Sequence, residues 1–256
     1  MGSYAAIISS DWNQCLAPCG PFDALAYHFP ELRDRLDQIF KQYTSNAVTL
    51  GQATGVIAQL LPSPLTPNQM DAYLLDRFTV YTGVREFIRW CGTREVLFMI
   101  NTTGLTGYFQ RALALGMLPP LGVLSAHPLV RYDRSTTDPD AILTLEEITD
   151  KPRHTSAMAE KFHIAPEKII IMGDSGGDGP HFQWGAGIGA TLIGSMVKPS
   201  LDHYCAAQGI AITHRFGHTY AVGEHVDPEK ETAYTFTDLI KIVEQVIGPL
   251  PASSQA

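Results

Sequence analysis

A doubly wound, parallel α/β sheet is the fold that three observations in this sequence predict. Short apolar runs recur along the chain and end in glycine or small polar residues. Stretches with helical spacing alternate with them. The runs are continuous rather than alternating, as expected of strands buried on both faces. Strands alternating with helices imply a parallel sheet, and ligands bind such sheets at the C-terminal edge of the strands. The residues that close each run are therefore where chemistry is expected.

Residues 4–10 form the first run, apolar and small, stopping at Asp11-Trp12-Asn13-Gln14. Residues 15–21 (CLAPCGP) are rich in breakers and read as a linker. From residue 22 to about 78 the spacing turns helical, with Leu32, Leu36, Ile39, Phe40 and Tyr43 three or four apart and charges between them. Residues 56–61 and 70–78 read as further helix pieces. Between them lies PSPLTP, where Thr66 and Pro67 suit an N-cap and a first helical position. Some 60 residues are too many for a loop. A small helical cap at 21–79 is expected, inserted into a core made of 1–20 and 80–256.

Beyond the insertion, residues 84–90 suit a short helix, and 95–100 (EVLFMI) a buried strand ending at Asn101-Thr102-Thr103-Gly104. A helix is expected over 105–115, closed by Gly116, then a strand at 121–125, a polar loop at 131–140 and a helix at 155–162. Ile169 to Met172 is another buried strand, running into Gly173-Asp174-Ser175-Gly176-Gly177-Asp178-Gly179. Residues 190–193 suggest a further strand and 236–246 a closing amphipathic helix, with 214–227 expected as an irregular segment. The sequence has no internal repeat or low-complexity tract.

Composition narrows the function classes. The 256 residues are 45% hydrophobic and 17% charged, with a formal net charge of −8. With no Lys/Arg cluster, the chain offers no basic stripe to displace counterions, so no nucleic-acid partner is expected. No apolar segment approaches the roughly 18–20 residues of a membrane helix, and the N-terminus lacks the basic region of a signal peptide. The expectation is a soluble cytoplasmic protein with no membrane partner. The four cysteines, Cys15, Cys19, Cys91 and Cys205, complete no zinc pattern and are expected to be reduced, buried thiols.

Three strand ends carry chemically capable residues: Asp11, Thr102 with Thr103, and Asp174 with Asp178. The last pair reads either as a solvated turn or as a loop for a hard cation such as Mg²⁺, which takes one or two carboxylates and leaves room for phosphate. Lys151, within Asp150-Lys151-Pro152, adds an ammonium. A nucleophilic carboxylate, a hydroxyl, a lysine and a paired-Asp loop together suit phosphoryl transfer from a small phosphorylated substrate.

In this order and context the sequence resembles the haloacid dehalogenase superfamily of hydrolases, whose four motifs lie on a Rossmann-like sheet. The first falls on Asp11-Trp12-Asn13-Gln14-Cys15, the second on Thr102 (Thr103 being the neighbouring alternative), and the third on Lys151. The fourth, Gly-Asp-x-x-x-Asp, falls on Gly173 to Asp178. The resemblance implies a Mg²⁺-dependent phosphatase with Asp11 as nucleophile and with Asp11, the Asn13 carbonyl, Asp174 and Asp178 around the metal. It also implies that Thr102 and Lys151 serve the phosphoryl group, and that the insertion is the helical cap found in many members. The pattern departs from the family at Asn13, where phosphatases carry the Asp that protonates the leaving group and activates water. An amide does neither at neutral pH. Two alternatives follow: a phosphonate or carbon–halogen hydrolase of the same superfamily, or a catalytically weak phosphate-ligand binder. Among the remaining candidates, His181 is read as structural and His154 and His163 as surface residues. Trp12 and Trp184 are expected to pack near the site. His214, His218 and His225 lack the spacing of one helical face. Phe22, Tyr27 and His28 belong to the cap, where specificity is expected.

Overall fold

The computed structural model describes residues 4–44 and 47–248. The expected core segments 1–20 and 80–256 run beyond these at both ends. Seven strands form one parallel sheet: β1 (Ala6–Ser10), β2 (Val96–Leu105), β3 (Val123–His127), β4 (Ala141–Thr144), β5 (Ile169–Gly173), β6 (Thr191–Ser195) and β7 (His214–Phe216). Their order is β4-β3-β2-β1-β5-β6-β7. The sequence winds one way from β1 to β4 and the other way from β5 to β7. The switch point therefore lies between β1 and β5, where α/β sheets place ligands. Ser10 sits opposite Ile100 on one side and Met172 on the other, so β1 and β5 end together while β2 runs on beside them.

The continuous apolar runs are divided between the two faces of the sheet. Ile8, Phe98, Ile100, Ile170 and Met172 join one buried cluster, and Ile7, Leu97, Met99, Ile169 and Ile171 join the other. This is the period-2 alternation of a strand covered on both sides. Helices α1 (Asp23–His28), α2 (Arg33–Thr44), α3 (Leu50–Leu60) and α4 (Pro67–Arg77) occupy the stretch where the insertion is expected. Capping boxes start α3 and α4: Thr49 pairs with Gln52, and Thr66 with Gln69. The insertion is tied to the sheet-bearing part. Its Phe22, Leu25, Met70 and Tyr73 belong to the same apolar cluster as Trp12, Tyr108 and Phe109. Glu147 accepts hydrogen bonds from the Leu50 and Gly51 amides at the start of α3 (3.1 and 3.0 Å).

After the insertion come α5 (Val84–Thr93), α6 (Thr106–Ala114), α7 (Asp150–Lys161), α8 (Gly179–Ile188), α9 (Pro199–Ala207), α10 (Pro228–Thr232) and α11 (Ile240–Ile247). Several boundaries differ from expectation. β2 continues through Asn101-Thr102-Thr103-Gly104 because β3 pairs alongside it, with a register shift between Asn101 and Leu105. α7 begins at Asp150 rather than at 155, since Pro152 is tolerated in a first helical turn. The Asp150 carboxylate also accepts the Glu146 and Glu147 amides, each at 2.9 Å. The segment expected to be irregular, 214–227, contributes its first three residues to edge strand β7. β4, α9 and α10 were not anticipated: β4 is a four-residue, half-exposed edge whose apolar run is only Ala141-Ile142-Leu143. No helix among the described residues is long and apolar enough to cross a membrane.

Candidate active site

The Asp11 amide still donates to Met172 O (3.0 Å), so Asp11 leaves the sheet at the β1/β5 switch. The chain then turns sharply. The amides of Cys15, Leu16 and Ala17 all reach Trp12 O (3.2, 2.9 and 3.1 Å), and Gln14 takes a positive φ of 56°. Trp12 anchors this turn. Its ring is fully buried, with the Phe109 ring edge-on at 5.4 Å, rather than lying at the mouth of the site.

Asp174 follows β5 on the other side. Asp178 folds back over Gly173: its Oδ2 accepts the amides of Asp174 (3.0 Å) and Ser175 (3.4 Å). Only glycine fits at 173, because a Cβ there would lie 2.5 Å from the Asp178 carboxyl carbon. Lys151, in the first turn of α7, donates to Asp178 Oδ1 at 2.6 Å and lies 3.2 Å from Asp11 Oδ1. Asn101 Nδ2 donates to Lys151 O (2.9 Å), and Thr155 Oγ1 donates to the same oxygen (3.0 Å). Thr155 in turn meets His181 Nε2 at 2.9 Å. His181 is thus a buried support one layer behind the lysine.

Asp11, Asp174 and Asp178 bring ligand oxygens within 4.8 Å of one another, and all three are buried. One lysine does not balance them. Burial pushes Asp174 well above the usual carboxylate range, with Asp178 and Asp11 adding to the rise. Burial and Asp11 likewise raise Asp178 to about 6 against the pull of Lys151. For Lys151, burial acts to lower the pKa, but Asp11 and Asp178 outweigh it and the value is raised. Asp11 Oδ1 and Asp174 Oδ1 are buried and accept no hydrogen bond, whereas both Asp178 oxygens are engaged. An orphaned Asp174 oxygen beside an Asp11 oxygen held only by its ion pair with Lys151, in an all-oxygen, over-acidic cluster, fits a hard divalent cation such as Mg²⁺.

The cluster opens into a cavity of about 170 Å³ whose lining includes Asn13, Gln14, Phe40, Tyr43, Thr103 and Lys198. Thr102 is fully buried instead. Its hydroxyl donates to Asn13 Oδ1 (3.2 Å) and accepts the Gly104 amide (3.2 Å), so Thr103 is the threonine on the cavity wall. Asn13 Nδ2 donates to Cys19 O at 3.3 Å. The Cys19 thiol beside it is pushed up to about 12 by burial and by Asp23, which keeps it protonated. All four cysteines are free and buried.

From the insertion, Pro21, Phe40 and Tyr43 line the cavity, whereas Tyr27 borders a separate groove and His28 bonds Gln69 O at 2.6 Å. Tyr43 was legible only as a helix-face residue and Lys198 not at all, since neither lies in a motif. His218 pairs with Glu224 (2.8 Å), and His154 with Ser125 (2.8 Å). Among the described residues, the three late histidines form no metal-ligand cluster. A larger groove of about 910 Å³ lies at the opposite edge of the sheet, beside the start of β3 and β4, away from the carboxylate cluster.

No protein-family model matches the sequence, and no curated protein matches it. Solved structures do. A phosphoserine phosphatase carrying a phospho-aspartyl intermediate analogue superposes with a TM-score of 0.65 at 17% identity, over 93% of this chain and 99% of that one. A HAD family hydrolase from Salmonella enterica serovar Typhi gives 0.64 at 18%, over 94% and 72%. A cytosolic 5′-nucleotidase bound to cytidine gives 0.56 at 12%, over 96% and 87%. Strand order, switch-point site and superposition agree: this chain has the haloacid dehalogenase-like fold.

Proposed function

We propose that the protein is a Mg²⁺-dependent phosphatase of a small phosphorylated metabolite, working through an aspartyl-phosphate on Asp11. The observation that carries this reading is the convergence of Asp11, Asp174, Asp178 and Lys151 on one cavity at the β1/β5 switch. Its volume of about 170 Å³ is below the ~300–1,000 Å³ usual for drug-sized ligands, which favours a compact substrate.

In the first half-reaction an Asp11 carboxylate oxygen bonds to phosphorus as the bond from phosphorus to the leaving oxygen breaks. The departing oxygen keeps the electron pair and takes a proton. In the second, water adds to phosphorus, the Asp11–phosphorus bond breaks, and inorganic phosphate leaves with the carboxylate restored. Lys151, held against Asp11 and Asp178, faces the charge on the phosphoryl oxygens, and Thr103 and Ser175 border the same space. Asp11 and Asp174, with the Asn13 carbonyl, would hold Mg²⁺, which when bound neutralises substrate charge. Asp178, which the resemblance also expects at the metal, has both oxygens engaged and holds the loop and the lysine. Asn13 donates no proton of useful acidity, so esters with poor leaving groups should turn over slowly. General acid–base help is typically worth about 10²–10⁴-fold. Acyl phosphates, whose leaving group needs no acid, should be better substrates.

A second reading is a phosphate-ligand binder, favoured by the Asn13 amide, which is hydrogen-bonded at both ends. The test is turnover of phosphate monoesters, acyl phosphates and phosphonoacetaldehyde, with Mg²⁺ and with EDTA. Turnover that is lost with EDTA and lost in Asp11→Asn supports the phosphatase. Turnover surviving either change refutes the mechanism, and tight phosphate binding without any turnover supports the binder.

A further inference from the structure

A second lysine reaches the cavity from outside every motif. Lys198 precedes α9, its amide donates to Asp174 O at 2.7 Å, and its side chain forms part of the wall with Ser175 and Ser200. The ammonium sits 3.2 Å from Glu231 Oε1 and 3.9 Å from the centroid of the Tyr220 ring. Glu231 is fully buried. Its Oε2 accepts the Tyr81 hydroxyl at 2.5 Å, and its Oε1 accepts the Tyr220 hydroxyl at 2.7 Å. Three residues, Tyr81, Tyr220 and Glu231, thus meet behind one ammonium. Two phenols already draw on the carboxylate, and an ammonium has three N–H donors, of which one is spent on Glu231. The side chain is 12% exposed, so the remaining donors have an outlet on the cavity side.

Charge gives this arrangement a use. The cavity floor carries three carboxylates against Lys151, and an anionic substrate adds to the excess. We propose that Lys198 binds an oxyanion of the substrate, and that Glu231, braced by Tyr81 and Tyr220, sets how strongly it does so. The proposal deepens the phosphatase reading and rests on it for the identity of the ligand. The oxyanion comes either from the phosphoryl group or from a second acidic group on the substrate.

Isothermal calorimetry with Mg²⁺ and inorganic phosphate tests the first source. A matched pair of ligands, ethyl phosphate and phosphoglycolate, tests the second. Lys198→Met should weaken phosphate binding about tenfold or more if the phosphoryl oxygens are the contact. If the second group is the contact, it should abolish a preference for phosphoglycolate over ethyl phosphate. Glu231→Gln should act in the opposite direction, tightening the same ligand severalfold, because the amide leaves the ammonium charge less offset. Lys198→Arg keeps the charge and should retain most of the affinity, and it decides the matter if Lys198→Met fails to fold. A merely structural salt bridge predicts otherwise: both charge-removing variants would lower the melting temperature with affinities within twofold of the parent, or would weaken binding alike. Either result overturns the proposal. Turnover is read separately. Its absence in the parent protein would sink the phosphatase reading while leaving the opposed calorimetric shifts, or their absence, to judge Lys198.

Discussion

Asn13→Asp is the substitution whose effect the geometry defines best. The Asn13 side chain lines the cavity with Oδ1 accepting from Thr102 (3.2 Å) and Nδ2 donating to Cys19 O (3.3 Å). In the aspartate the donor becomes an oxygen facing a carbonyl oxygen. That repulsion either turns the carboxyl toward the cavity or favours its protonated form, and both outcomes suit a general acid. Full general acid–base help is about 10²–10⁴-fold. Because Thr102 still holds one oxygen, we expect the low end, about 10²-fold in kcat/KM, for an alkyl phosphate. An acyl phosphate, whose leaving group needs no proton, should gain less than about tenfold. The assay is kcat/KM across phosphate compounds of graded leaving-group pKa, in parent and variant with Mg²⁺. The parent should show a steep dependence and the variant a shallower one. An equal gain across the series, or none for the alkyl ester while acyl phosphate turnover persists, would refute the assignment of Asn13 as the missing acid.

Other outcomes follow from the same geometry. Gly173→Ala places a methyl 2.5 Å from the Asp178 carboxyl carbon. Overpacking of this kind should cost about 1–3 kcal/mol in denaturant unfolding and separate Asp178 from Lys151, lowering turnover as well. Mg²⁺ should raise the melting temperature of the parent more than that of Asp174→Asn, since it offsets both the burial and the mutual repulsion of the carboxylates that raise Asp174 and Asp178. The His127 ring is held down to about 4 by burial, opposed weakly by Glu147, and its Nδ1 accepts the Leu129 amide at 3.1 Å. In the unfolded chain it takes a proton below its ordinary 6.5, whereas in the folded protein it does so only near 4. Its contribution to stability is therefore complete above pH 6.5 and lost as pH falls toward 4, an upper bound of about 3 kcal/mol. His127→Asn keeps an acceptor without the titration. The parent-minus-variant difference in unfolding free energy should shrink over that window, and a constant difference would contradict the assignment.

Much of the site was legible in advance for one physical reason. Parallel strands end on a common edge, so a strand-closing residue is near the others however far apart they lie in sequence. Asp11, Asp174 and Asp178 were singled out on that ground and bring ligand oxygens within 4.8 Å of one another. Lys151, singled out as an ammonium ahead of the acidic loop, lies 3.2 Å from Asp11 and 2.6 Å from Asp178. The continuous apolar runs likewise marked β1, β2, β3, β5 and β6, because a strand covered on both faces must be apolar throughout. β4 and β7 escaped notice, being edge strands of four and three residues: β4 has an apolar run of only three residues, and β7 has none.

The sequence by itself determined the fold class, the strand ends that carry acids, and the amide where an acid is expected. Tertiary structure decided the rest. Strand order set β1 between β2 and β5 and so put Asp11 at the switch. Which of two adjacent threonines faces the cavity depends on pleat parity through a region of shifted register, and Thr102 turned inward to Asn13 while Thr103 lines the wall. Tyr43 and Lys198 reach the cavity from a helix of the insertion and from the start of α9. Their positions come from packing between distant segments, and no local pattern of residues encodes that.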